Sequence, residues 1–329
     1  MTVLAPTLQA FFTDRLQTQL GASPHTITAY RDTFRLLLTF TSQRTGIPPS
    51  RLDLSDLDAA VVAAFLDHLE RDRGNSVRTR NARLAAIHSM IAFAVLRHPE
   101  HADVLAQVLA VPPKRYDRTQ VTYLDPGEVT ALLAAPNAAT WTGRRDHALI
   151  LVAVTTGLRV SELTGLTRRD THLGRGAHVL CHGKGRKDRA TPLTGETVAA
   201  LTAWTRELPT AQEHPLFPTR TGRRMSPDAV TARLAVHAAT ATLTCPSLAD
   251  KRISPHVLRH TAAMRLLHAG VDLTTIALWL GHESPETTQI YLHADMTLKE
   301  RALARTTPTG TPPGRFQPQD TLLAFLTSL

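Results

Sequence analysis

The stretch Ser254-Pro255-His256-Val257-Leu258-Arg259-His260 constrains this chain more than any other, because it puts two imidazoles and a guanidinium on one rigid element. Ser254 is a good N-cap, Pro255 suits the first helical position and Gly270 reads as the C-terminal stop, so the spacing predicts a helix between them. On it His256 and Arg259, three residues apart, share a face. Leu258, Ala262 and Leu266, with Val257 and Leu267, supply the apolar stripe that holds the helix to a core. Downstream, Asp272 to Leu280 reads as a second helix closed by Gly281, and Ser284-Pro285-Glu286 restarts a third. His282 falls in the turn between them. Tyr291 follows about two helical turns into the third, near enough in sequence to return to the same place.

Taken singly, a helical histidine is more often a structural residue than a ligand, and a tyrosine between Ile290 and Leu292 more often a half-buried core aromatic than a nucleophile. In conjunction, the box from His256 to His260, the Leu280-Gly281-His282 turn and the position of Tyr291 resemble the C-terminal signature of the tyrosine recombinases, or phage-type integrases. That resemblance implies an earlier arginine after a Thr-Gly pair and a lysine in a Gly-Lys-Gly hairpin. Both are present, in Thr156-Gly157-Leu158-Arg159-Val160-Ser161-Glu162-Leu163 and in His182-Gly183-Lys184-Gly185-Arg186-Lys187-Asp188-Arg189.

The roles that follow are those the resemblance implies, and each has a chemical reason. A DNA phosphodiester repels nucleophiles, and its transition state gathers charge on the non-bridging oxygens, which Arg159 and Arg259 would clamp. Tyr291 is the expected nucleophile, giving a 3′-phosphotyrosyl link, with His256 as acceptor of its proton. Lys184 is the expected acid for the departing 5′-oxygen and Lys187 its nearby rival, also a candidate DNA contact. His282 is expected to bond the phosphate, His260 to be structural support, and Glu162 to orient or cap. The covalent link conserves the phosphodiester energy, so no cofactor is expected, and no Gly-x-x-x-x-Gly-Lys-Ser/Thr loop occurs. No metal is expected either: His256, His260, His282 and His293 could be drawn as a zinc set, but no acidic or cysteine partner sits at ligand spacing and an arginine would stand beside the cation. The alternatives are a type IB topoisomerase, with the same tyrosine chemistry but no exchange of partners, and a DNA-binding regulator without catalysis.

A net charge of +9 suggests an anionic partner, and only five of the 37 basic residues are lysine, leaving mostly the side chain suited to forked phosphate contacts. With 43% hydrophobic residues the composition is that of an ordinary globular protein. The longest apolar run, Ala148 to Val154, is too short to span a membrane. No secretory signal is evident at the start, and two cysteines, Cys181 and Cys245, offer no disulfide framework, so a cytoplasmic location is expected.

The expected class is mainly α. Residues 1–111 read as helical throughout, with apolar periodicity at Leu8, Phe11, Phe12, Leu16 and at Phe34, Leu37, Leu38. Helix starts are expected at Ser23, at Ser55 or Asp56, and at Ser76. The last helix carries Arg78, Arg80 and Arg83 opposite a stripe of Leu84, Ile87, Ile91 and Val95, a basic face fit to grip duplex DNA. This segment is similar to the family's N-terminal core-binding, SAM-like bundle, including its Ser23-x-x-Thr26-x-x-x-Tyr30 opening.

Residues 112–122 read as a proline-stiffened basic linker with Lys114 and Arg115 placed to touch DNA backbone; in the family such a linker joins the two halves of a C-shaped clamp. Residues 123–300 are expected to form the α-rich catalytic domain with one small antiparallel β-sheet. Its elements are a capping-box start at Asp125, a helix from Arg144 to Thr156, a short one after Arg159, strands at 177–181 and 189–193, and helices capped by Thr194 and Ser226. Residues 301–329 read as a flexible tail ending in a short apolar helix that docks on its own domain or on a neighbouring protomer. The partners implied are duplex DNA at paired sites and further copies of the chain, a tetramer on synapsed DNA, with no membrane.

Overall fold

The computed structural model describes residues 4–116, 121–182, 188–281, 288 and 291, and groups the chain into two compact units, Met1–Arg118 and Thr119–Leu329. Among the described residues no helix is long and apolar enough to cross a membrane. The first unit is helical: α1 (Leu4–Ala10), a π-helical turn (Phe11–Gln19), α2 (Pro24–Thr45), α3 (Ala59–Arg71), α4 (Val77–Val95) and α5 (Ala102–Leu109). The π segment has a sequence reason, since its buried residues Phe11 and Leu16 are five apart, a spacing that an i→i+5 winding brings to one face. Phe11, Phe12, Phe34 and Phe93 meet there as an aromatic cluster.

Ser23 and Ser76 accept the expected capping hydrogen bonds from Thr26 and Thr79. The start of α3 differs from expectation. Asp58 caps it, while Asp53 and Asp56 form a capping box around a separate 3-10 turn, Leu54–Asp56. In the apolar sequence around 54–66 several acids can cap, and Leu54 and Leu57, both buried, hold the chain in the extra turn first.

The second unit is built round α7 (Trp141–Thr156), whose Ala148 to Val154 are all buried, so this helix is covered on every side. Around it stand α6 (Pro126–Ala134), α8 (Val160–Gly165), α9 (Gly195–Thr205), α10 (Pro227–Thr242), α11 (Pro255–His268) and α12 (Leu273–Leu280). Three antiparallel strands, β1 (Thr171–His172), β2 (His178–His182) and β3 (Asp188–Pro192), form a sheet in that order, with Val179 opposite Thr191 and His182 opposite Asp188. The short β1 and the start of α7 at Thr140, a turn before Arg144, are not apparent from periodicity. The caps at Asp125, Thr194, Ser226, Ser254 and Asp272 are as read. Both cysteines are free. The expected third helix after Ser284 and the tail lie outside the described residues, apart from Thr288 and Tyr291, which are helical.

Gly157 ends α7 in the left-handed region, φ 66°, close against residues of α11 and α12. A Cβ there would sit 2.6 Å from Leu280 Cδ2 and 3.1 Å from the Ala262 Cβ. Gly270 has φ 84° but open space around it. Gly157→Ala should therefore cost about 1–2 kcal/mol for the backbone plus about 1–3 kcal/mol for overpacking, and Gly270→Ala only the first. Urea midpoints of the two variants check the difference.

Candidate active site

Three arginines from three separate segments converge on the C-terminal end of α12. Arg189 on β3 donates Nε to the Trp279 carbonyl at 3.1 Å, Arg259 on α11 donates Nη2 to the Leu280 carbonyl at 2.8 Å, and Arg159 before α8 donates Nη2 to the Gly281 carbonyl at 2.7 Å. The last carbonyls of a helix have no intrahelical donors and carry its negative pole, so successive ones can each take a guanidinium. Gly281 closes the helix at φ 64°, and a Cβ on it would lie 2.7 Å from Arg189 Nη1, so the close approach needs glycine. Arg259 also donates Nη1 to the Gly157 carbonyl at 2.6 Å, which joins the ends of α7 and α12 through one side chain.

The carboxylate that balances this charge is Glu162, only 5% exposed. It accepts Arg159 Nη1 and Arg189 Nη1 on Oε1, at 3.0 and 2.9 Å, and the Arg159 backbone N–H and Arg189 Nη2 on Oε2, both at 2.8 Å. Burial pushes its carboxyl up, but the Arg189 fork, the Arg159 backbone N–H and the two charges outweigh this and hold it below the usual range. Burial, reinforced by neighbouring Arg159, lowers Arg259 to about 10, which leaves it cationic at neutral pH. Arg159 alone of the three keeps substantial exposure, 37% of its side chain.

Tyr291 is brought to the same helices. It is buried against Ala263, Met264 and Leu267 of α11 and Ile276 and Leu280 of α12, and its hydroxyl lies 3.0 Å from His260 Nδ1. The histidine bonded to the phenol is thus His260, expected to be structural, and not His256. Positions 260, 263, 264 and 267 form one face of α11, the face that Tyr291 covers, whereas His256, in the first turn, is exposed. Burial raises the phenol to about 12 against the opposing pull of Arg259. Burial, with the charges of His256 and Arg259, lowers His260 to about 4, so the imidazole is neutral at pH 7. Lys184, Lys187 and His282 lie outside the described residues.

The basic set of the first unit divides. Arg78 and Arg115 are exposed. Arg80 is not presented to solvent. It is 7% exposed, with Nε 3.4 Å from Glu70 and Nη1 donating to the Pro112 carbonyl at 3.2 Å, because it continues the buried stripe of Leu84, Ile87 and Ile91 by one turn. Arg83 is half-buried, with Nη1 enclosed. Lys114 pairs with Glu70 at 2.9 Å, and its backbone N–H and carbonyl bond the Asn81 side chain, so the expected linker begins tied to α3 and α4. The residues missed from sequence are Arg189 and, as a partner of the phenol, His260. Arg189 had one signal, an arginine five residues after the Gly-Lys-Gly lysine, which periodicity cannot interpret.

Residues 122–297 match the phage integrase family, and residues 10–98 match the phage integrase N-terminal SAM-like domain. The chain is 54% identical over 326 residues to the putative integrase/recombinase y4rC of Sinorhizobium fredii (strain NBRC 101917 / NGR234), covering 99% of this chain and 98% of that one. It is 34% identical over 284 residues to the tyrosine recombinase XerC of Xanthomonas campestris pv. campestris (strain B100), covering 86% and 83%. In fold it is similar to the Tn1549 transposon integrase in complex with circular intermediate DNA, with TM-score 0.67 at 17% identity over 92% of this chain and 99% of that one. It is also similar to the XerH site-specific recombinase bound to palindromic difH substrate, with TM-score 0.65 at 22% identity over 86% and 80%.

The His260 shift has a definite sign. Between pH 6.5 and about 4 the unfolded chain binds a proton that the folded one does not, so His260 makes stability fall as pH falls through that window. In urea unfolding, the stability advantage of the unaltered protein over His260→Gln should shrink as pH drops from 6.5 to 4. At the alkaline end the raised Tyr291 makes stability fall as pH rises from 10 to about 12, and Tyr291→Phe should lack that loss.

Proposed function

The chain belongs to the phage integrase family of tyrosine recombinases, and on that premise we propose that it cleaves and rejoins duplex DNA at specific paired sites, with Tyr291 as nucleophile and Arg159 and Arg259 as the phosphate clamp. The observation that carries this reading is the anchoring of Arg159 and Arg259 on the adjacent carbonyls of Gly281 and Leu280, beside the helices that enclose Tyr291. Two like charges so held repel each other, and the non-bridging oxygens of a phosphodiester relieve that repulsion. The relief grows as the transition state gathers negative charge, which is what selective stabilisation requires.

In the cleavage step the Tyr291 oxygen attacks phosphorus. The bond from phosphorus to the 5′-oxygen breaks, and a 3′-phosphotyrosyl link forms. A phenol raised to about 12 is neutral at pH 7, so its proton must leave as the bond forms. Neutral His260, already hydrogen-bonded to the hydroxyl, is the acceptor we assign. His256, exposed and one turn earlier on α11, is assigned to donate to a phosphate oxygen. The leaving 5′-oxygen takes its proton from Lys184, and His282 adds a further phosphate hydrogen bond, both assigned by their match to the family's motifs. The intermediate retains the phosphodiester bond energy, so rejoining reverses the same steps without ATP.

Exposed Arg78 and Arg115 are the backbone contacts we assign in the first unit. Partner exchange needs two sites and more than one copy of the chain; assembly as a tetramer on synapsed DNA and action in the cytoplasm belong to this reading. The relatives that support it include XerH bound to difH substrate.

Footprinting on DNA flanking the gene supplies a site, and a nicked suicide duplex carrying that site supplies the assay. The unaltered protein should form a covalent complex in excess chelator and Tyr291→Phe none, with duplex binding retained. Arg159→Lys and Arg259→Lys should each lose about 2.7–4 kcal/mol of transition-state stabilisation, since a lysine replaces the charge but not the fork. Covalent complex formation by Tyr291→Phe would reject Tyr291 as nucleophile.

A further inference from the structure

Arg189 forks onto both oxygens of Glu162 and reaches the Trp279 carbonyl with its remaining nitrogen, yet its side chain is only 14% exposed. It sits too deep to be presented to DNA as Arg159 is. Its effect on Glu162 is nevertheless specific. A carboxylate offers about four lone-pair sites, and here all four are taken: two by Arg189, one by the Arg159 backbone and one by the Arg159 side chain. Arg159 therefore gives Glu162 a single Nη1 contact, and its other terminal nitrogen is held on the Gly281 carbonyl. Without Arg189, Glu162 would have two lone-pair sites open beside a guanidinium, and the favoured bidentate pair of Arg159 with Glu162 would form in their place. That pair would draw Arg159 off the Gly281 carbonyl and neutralise it.

We propose that Arg189 is a positioning residue for strand cleavage: by occupying the second face of Glu162 it keeps Arg159 extended on the end of α12, where its free N–H groups can meet the phosphate. The proposal rests on the assignment of Arg159 to the phosphate clamp. It also gives Glu162 a specific task, since a carboxylate shared by two guanidiniums orients Arg159 without cancelling its charge. Arg189→Gln would then displace Arg159 while leaving duplex binding, which depends on many contacts, largely intact.

The test uses the full chain and the same nicked suicide duplex, with protein in excess so that the covalent step is read in a single turnover. Arg189→Gln should slow covalent complex formation about 100-fold, the penalty expected for a displaced catalytic group, with unchanged affinity for the duplex. Arg189→Lys should be intermediate. In a Glu162→Gln background, adding Arg189→Gln should slow the reaction little further, because Arg189 acts through that carboxylate.

Equal slowing by Arg189→Gln in both backgrounds would overturn the proposal, as would a full rate for the single variant. If Arg189→Gln fails to fold, Arg189→Lys decides, since it keeps the charge and loses the fork; a full rate for it would also overturn the proposal. No covalent complex from the unaltered protein, or a full rate for Arg159→Ala, would instead reject the clamp itself and the proposal with it. Normal cleavage by the unaltered protein with an inactive Arg159→Ala and a fully active Arg189→Gln rejects only the role of Arg189.

Discussion

The candidate site depends on the end of one short helix. In α12 the carbonyls of residues 279, 280 and 281 each receive an arginine from a different part of the second unit, and the Trp279 indole N–H returns a hydrogen bond to the Thr156 carbonyl at the end of α7. A helix C-terminus is the natural place for such convergence. It offers orphan acceptors at fixed spacing, and its dipole lowers the energy of cations brought close to it. The helix must end abruptly for these carbonyls to point outward, and Gly281 in the left-handed conformation makes it do so.

This arrangement is electrostatically unfinished. Among the described residues three guanidiniums face one carboxylate, and burial together with the nearby Arg159 lowers Arg259 to about 10. A core assembled for stability alone would place apolar side chains of similar volume here, because buried ion pairs are weak stabilisers and unmatched charges are costly. On the proposed reading a phosphodiester anion meets this positive charge. Burial likewise holds the phenol neutral beside a neutral imidazole, so the proposed nucleophile and its proton acceptor are hydrogen-bonded as uncharged groups.

What could be read from the sequence was local. Ser23, Ser76, Asp125, Ser254 and Asp272 cap helices because a side chain meets a backbone N–H three residues on, a relation the sequence states directly. Gly157 and Gly281 were legible as stops because glycine readily takes the left-handed conformation that ends a helix. Misreadings arose where a choice depended on packing. Asp58 caps α3 in place of Ser55 or Asp56 because Leu54 and Leu57 are first buried in a 3-10 turn. His260 meets Tyr291 in place of His256 because it lies on the packed part of the α11 face. Arg189 could not be placed at all, since its partners are 27 and 90 residues away in sequence.

Arg80 shows how far charge alone can mislead, and also what it still says. The spacing 80, 84, 87, 91 continues the buried stripe of α4, so the residue was marked as inward-facing by the same periodicity that identified Leu84, Ile87 and Ile91. Its guanidinium and the Lys114 ammonium both meet Glu70, while Asp146 takes Arg145 and Arg233 in the second unit. Such pairs remove equal numbers of positive and negative charges, or more positive than negative, from the interaction with a distant anion. The sequence carries nine more basic than acidic residues, so a net positive charge remains however the side chains pair. Exposed Arg78 and Arg115 have no ion pair among the described residues. On the proposed reading affinity for a phosphate backbone draws on such unmatched cations, because they release counterions from the duplex without first breaking an ion pair within the protein.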